Sequence, residues 1–130
     1  KCFKLFNDVN RNWTEAHSKC QEENHMLAMP TDADAVGLRK VIYDKYGRGL
    51  WMWLDGMASA GSENMMVQGN TMELSRDHML WRPYEPEFRE EEDMCLVMPL
   101  AQWFITNSPT QVYHTAPCNK SWATLCEAIV

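Results

Sequence analysis

The chain has 130 residues, a net charge of −6, and 45% hydrophobic against 23% charged residues. That length supplies a single domain, residues 1–130, with a modest core, and the composition is that of an ordinary globular protein. Scattered Lys and Arg exclude nucleic acid or an anionic membrane surface as partner, because phosphate binding needs a basic stripe. No apolar run approaches the roughly 18 residues of a membrane span.

The start at Lys1-Cys2-Phe3 carries no signal peptide and reads as a mature or trimmed product. Residues 2–6 alternate apolar positions as an opening strand does. Asn12 is placed to cap a helix over 13–23, with Trp13, Ala16 and Cys20 on one face. Asn24-His25 ends that helix, and Leu27-Ala28-Met29-Pro30 follows as a short extended piece. Thr31 caps a second helix that runs to Tyr46, with acids in its first turn and Ala35, Leu38, Val41 and Ile42 on its buried side. Gly47 and Gly49 stop it. Leu50 to Leu54 reads as an apolar strand, and Met65 to Gln68 as another before a Gly69-Asn70 turn. Residues 71–92 are irregular, and a long structureless stretch in a compact domain signals function or disorder. Met94 to Met98 is a core strand. Residues 99–111 form an extended loop with Trp103-Phe104-Ile105 as its apolar tip or tuck. Segments 111–117 and 123–129 complete the sheet.

Trp51, Trp53, Trp81 and Trp122 read as core. Ten methionines either fill irregular core gaps, the default reading, or form an adaptable surface. Six carboxylates fall within the nine residues from Glu85 to Asp93, which suits a solvated loop or a cation site. Five cysteines in so short a chain point to an extracellular disulfide framework whose connectivity spacing alone leaves open. The sequons at Asn12 and Asn119 agree with secretion and glycosylation. No Gly-rich phosphate loop, G-x-S-x-G or H-E-x-x-H occurs. Glu85 and Glu87, two residues apart across Pro86, are a poor basis for opposed acid and base roles. The reading is not an enzyme, with no catalytic residues.

The ordered set Trp13, Ala16, Cys20, Trp51-Met52-Trp53-Leu54, Trp81, Glu85-Pro86, Asp93, Cys95, Cys118 and Cys126 resembles the C-type lectin-like domain over nearly the whole chain. The resemblance implies an α+β fold of two helices, small antiparallel sheets and a long-loop region that binds ligand. It pairs Cys20 with Cys126 and Cys95 with Cys118. The first pair closes a loop of about 100 residues, worth on the order of 4–5 kcal/mol in the chain-entropy model. Cys2 is left unpaired. In longer members its partner lies about ten residues earlier, so either trimming removed that partner or Cys2 bonds to another chain and makes an oligomer. The family usually has glycine where Trp53 stands, so packing around that strand must differ.

Sugar-binding members hold one calcium ion through a Glu-Pro-Asn turn, a later Glu, and an Asn-Asp pair three residues before a cysteine; calcium takes 6–8 hard oxygens. Here Glu85 and Pro86 are kept and Glu87 replaces the Asn. Asp93 stands at the later acid, and Tyr113-His114-Thr115 replaces Trp-Asn-Asp. The ligand or sugar-binding candidates are therefore Glu85, Glu87, Asp93, His114 and Thr115, and the metal candidates Glu85, Glu87 and Asp93. Thr115 brings no charge and His114 a nitrogen that hard calcium disfavours, so the calcium site is weakened or absent. Two other arrangements answer the acids: a loop salt-bridged by Arg82, Arg89 and His114, or zinc on Glu85, Glu87, Asp93 and His114. The family's auxiliary calcium positions fall on Gly56, Ala60, Phe88 and Met94, which lack side-chain oxygens. The resemblance thus implies a secreted recognition module for carbohydrate, including microbial glycans as in invertebrate members, or else a calcium-independent module for an extracellular protein.

Overall fold

The computed structural model describes residues 2–47, 49–100 and 110–129; the expected tip at Trp103-Phe104-Ile105 lies outside them. The opening strand β1 (Phe3–Arg11) outruns the expected five residues, because its pairing with β8 (Trp122–Ala128) resumes past an irregularity at Arg11, opposite Trp122. Helix α1 (Trp13–Glu22) starts at Asn12 through a reciprocal capping box: the Glu15 amide donates to the Asn12 side chain at 2.9 Å, and the Asn12 amide to Glu15 at 2.9 Å. Ala16 and Cys20, four residues apart, point inward and are fully buried. Strand β2 (His25–Leu27) then pairs with β8.

Helix α2 (Asp32–Tyr46) has the expected span, but its buried stripe is shifted. Ala35, Arg39 and Ile42 face inward, Leu38 is half-buried, and Val41 is 64% exposed. The i, i+4, i+7 row carries the interior face, and Arg39 is tolerated on it because its guanidinium donates to the Gln111 carbonyl at 3.1 Å. Thr31 precedes the helix without a side-chain bond to the backbone; its hydroxyl donates to Asp34 instead.

The remaining strands are β3 (Trp51–Ala58), β4 (Met65–Val67), β5 (Met72–Leu74), β6 (Met94–Pro99) and β7 (His114–Pro117). β5 falls inside the stretch expected to be irregular, held by pairing to β4. The sheet is mixed rather than antiparallel throughout. β3 runs parallel to β8, with Met52 opposite Ala123, and the long connection between them supplies the crossover a parallel pair requires. β6 pairs antiparallel with β3 and β7.

Period-two alternation sends neighbouring residues to opposite faces. Met52, Leu54, Leu96, Met98, Ala123 and Leu125 join one apolar cluster with Ala35 and Ile42 of α2. Trp53, Cys95, Val97 and Cys126 join a second with Ala16 and Cys20 of α1. Disulfides Cys20–Cys126 and Cys95–Cys118 lie within and beside this second cluster. Cys2 is free and exposed. Gly56 is dictated by close approach: a Cβ there would stand 2.8 Å from Leu96 Cβ. Met52, Met65, Met94 and Met98 are fully buried fillers, whereas Met26, Met72 and Met79 lie on the surface.

Trp53, where the resemblance led us to expect glycine, is fully buried and donates its indole N–H to the Arg11 carbonyl at 2.8 Å. Its ring lies 5.0 Å from Trp122, which stacks on Trp51 at 5.1 Å. Trp53 and Trp81 are buried as expected, while Trp51 and Trp122 are half-buried. No described helix is long and apolar enough to cross a membrane.

Candidate functional site in the long loop

The loop from Ser75 to Asp93 has little regular structure, so its backbone groups must find partners elsewhere. Trp81 anchors it: the ring is buried and its N–H donates to the Ser75 carbonyl at 2.8 Å. The backbone beside it docks on the start of β7. The Arg82 amide donates to the Tyr113 carbonyl at 3.0 Å, and the Val112 and Tyr113 amides donate to the Leu80 carbonyl. His78 ties the loop to α2. Its Nδ1 accepts from the Leu80 amide, so Nε2 carries the proton and donates to Asp32 at 2.8 Å.

With Trp81 and Tyr113 in register, the Glu-Pro-Glu turn lies against β7. The Glu85–Pro86 peptide is cis, and Tyr84 before it has φ of +70° and is 100% exposed. Glu85 turns inward, its side chain only 10% exposed. One of its oxygens, Oε1, accepts the Thr115 amide at 2.8 Å and also the Thr115 hydroxyl. The other, Oε2, lies 3.6 Å from His114 Nδ1. The Glu87 amide donates to the Thr115 hydroxyl oxygen at 3.0 Å. Thr115 thus joins the two glutamates of the turn.

Arginines complete the cluster. Arg82 donates to His114 Nδ1 at 3.1 Å, an acceptor only in the neutral ring. Arg89 donates to Glu87 and, at 2.6 Å, to Glu92. These outer pairs are more than 40% exposed on both sides and contribute little to stability. Burial pushes the His114 pKa below the usual imidazole range; Glu85 opposes that and Arg82 adds to it. Burial also lowers the Arg82 pKa, against the pull of Glu85. The His114 ring stands edge-on to Trp51 at 5.2 Å, so an aromatic row leads from the core to this cluster.

Of the five sequence candidates, the structure brings together Glu85, His114, Thr115 and the backbone of Glu87. Asp93 joins none of their hydrogen bonds: its carboxylate accepts from the Ala60 amide at 2.8 Å, on the strand-end side of the loop. Among the described residues, no three His, Cys, Asp or Glu side chains are grouped so as to hold a metal ion. Of the cations expected to answer the acids, Arg89 pairs with Glu87 and Glu92, whereas Arg82 donates to the neutral His114 ring. Sequence reasoning missed Arg39. Burial and the neighbouring Arg82 lower its pKa to about 10, and only its place four residues after Ala35 hinted at an inward position. It also passed over Tyr84, for which the sequence holds no signal.

The chain matches the Lectin C-type domain over residues 9–128, and it belongs to that family. The fold recurs in TC14, a C-type lectin from the tunicate Polyandrocarpa misakiensis, at TM-score 0.70 and 17% identity, covering 99% of each chain. It recurs in human lithostathine at TM-score 0.73 and 14% identity, over 100% of this chain and 94% of that one. A calcium-independent type II antifreeze protein is similar at TM-score 0.69 and 19% identity, over 98% and 87%. No curated protein matches the sequence. The family is one of binding modules, and no catalytic family is indicated.

Proposed function

We infer that this domain is a secreted recognition module that binds carbohydrate, glycans of microbial surfaces included, by a face made of the Tyr84–Arg89 turn and β7, without a tightly held calcium ion. The observation that carries the reading is Glu85, the family's retained acid, whose Oε1 is taken by two donors of Thr115. Calcium would need 6–8 oxygens. The Glu87 carboxylate is engaged by Arg89, the histidine nitrogen and two guanidinium groups offer the ion no oxygen, and the guanidinium charges repel it. The residues present do not fit the ion.

Recognition is then reversible, with no bond made or broken. The open face of Tyr84 offers a stacking surface for the C–H side of a sugar ring. Glu87 and Arg89 at the surface supply an acceptor and donors for hydroxyls. A second reading, a calcium-independent contact with an extracellular protein, is favoured by Met79, 79% exposed, in the same loop as Tyr84; exposed aromatic and methionine side chains are common interface anchors. Asn12 and Asn119 are the proposed glycan acceptors, and exposed Cys2 the proposed route to a disulfide-linked oligomer.

Thermal unfolding in millimolar calcium and in chelator tests the ion. A ligand bound only by the folded state adds about 2.7 kcal/mol at a hundred times its Kd. Coincident melts are expected. A shift that disappears in Glu85→Ala would overturn the calcium-free reading. Glycan-array binding in chelator, lost in Tyr84→Ala, supports carbohydrate; a blank array with a protein ligand sensitive to Tyr84→Ala supports the second reading.

A further inference from the structure

A cleft of about 380 Å³ lies between α1, the end of β3, β4 and the Gly69–Asn70 turn, and shares no residue with the long-loop cluster. Trp13 and His17 form one wall, with ring centroids 5.4 Å apart. The Trp13 ring is held in place because its N–H donates to the Leu54 carbonyl at 2.9 Å. Asp55 forms the floor. It is 6% exposed, and its backbone is pinned on both sides, its amide donating to Ala28 and its carbonyl accepting from Gln68. Oδ2 accepts the Gly69 amide at 2.8 Å. Oδ1 has no hydrogen-bond partner among the described residues. Asn64, Asn70 and Ser59 line the cleft with carboxamide and hydroxyl groups, each of which carries an acceptor oxygen, and Met57 and Met66 add apolar lining.

The Asp55 Oδ1 is open to the cleft and its water, and a cation that displaced the water would meet a carboxylate held in low-dielectric surroundings, where attraction between opposite charges is strong. The charged or titratable groups facing it are His17 from α1 and Glu127 from β8; burial, reinforced by Glu127, holds its carboxyl above the usual range. A hard divalent ion finds a single carboxylate there to balance its two charges, and no cluster of three acidic, His or Cys ligands among the described residues. A neutral alcohol would leave the charge uncompensated. A protonated amine brings three N–H donors, one for Oδ1 and two for the rim oxygens, and a positive charge that the Trp13 face attracts. We propose that this cleft is a second ligand site, for the primary ammonium group of a small molecule with an apolar or ring-shaped body. It stands independently of the recognition face proposed above.

The test uses cyclohexylammonium chloride against cyclohexanol, near-identical in shape and differing in charge. Both are titrated into the whole chain at about pH 8, where imidazoles are neutral, while the amide signals of Gly69 and Asn70 and the indole signal of Trp13 are followed by NMR. The ammonium is expected to shift them saturably, and the alcohol to bind on the order of tenfold more weakly or not at all. Asp55→Asn keeps an acceptor for Gly69 and removes the charge, so it should lose the ammonium response. Ser62→Trp, at the half-exposed rim, should block the cleft without touching Asp55 and lose it too. Equal binding of both probes, an undiminished response in a folded Asp55→Asn or Ser62→Trp protein, or no saturable shift in the parent chain would overturn the proposal.

Discussion

Thr115→Val isolates the contact that closes the long loop. Valine keeps the shape and the backbone N–H to Glu85 but removes a hydroxyl that both donates to Glu85 and accepts from the Glu87 amide. Thr115 is buried and the Glu85 side chain nearly so, so water replaces these bonds poorly. A hydrogen bond to an ionised group contributes about 1.5–3 kcal/mol, and a donor stripped of its acceptor costs a further 1–3. Since Glu87 is half-exposed, its amide sits at the low end, giving a loss of about 2.5–4 kcal/mol. Unfolding entropies near 2.1 cal/mol/K per residue turn that into a fall in Tm of roughly 9–15 °C for this length. The assay is calorimetric melting at pH 7 in chelator, with Thr115→Ser, which keeps the hydroxyl, alongside. A loss below about 0.5 kcal/mol, or one equalled by the serine variant, would refute the hydroxyl's role and leave only packing.

Gly56→Ala should destabilise by about 1–3 kcal/mol through overpacking against Leu96, read from urea unfolding; an unchanged midpoint would mean that β3 and β6 separate without cost. His114 sets a pH dependence. Its folded pKa lies below 6.5, so the unfolded chain binds the proton more readily and stability is lost as pH falls through 6.5 toward the folded value. His114→Gln, which retains an acceptor for Arg82, should flatten that slope in denaturant titrations from pH 7 downward; an unaltered slope would assign the loss to other groups.

Much of the fold was legible in sequence because its signals are local or ordered along the chain. The Asn12 cap, the ends of α2 at Thr31 and Gly47, and the apolar run of β6 need only neighbouring residues, and the order of cysteines and tryptophans carried the disulfide pairing. Local pattern also misled: Leu38 and Val41 satisfied a helical stripe, and packing buried their next neighbours, Arg39 and Ile42, instead. A buried arginine is readable only where the partner carbonyl, of Gln111, is known.

The sequence by itself determined the candidates Glu85, Glu87, Asp93, His114 and Thr115, because residue type and spacing from cysteines are written in the chain. Tertiary structure decided which of them meet. Thirty residues separate Glu85 from Thr115, and the docking of Leu80 and Arg82 on Val112 and Tyr113 brings them to hydrogen-bond distance. Asp93, closer in sequence to Glu85 than Thr115 is, bonds to Ala60 instead. The Asp55 cleft has no sequence signature at all, since helix, strand and turn each contribute a wall and the charge is exceptional only for its burial.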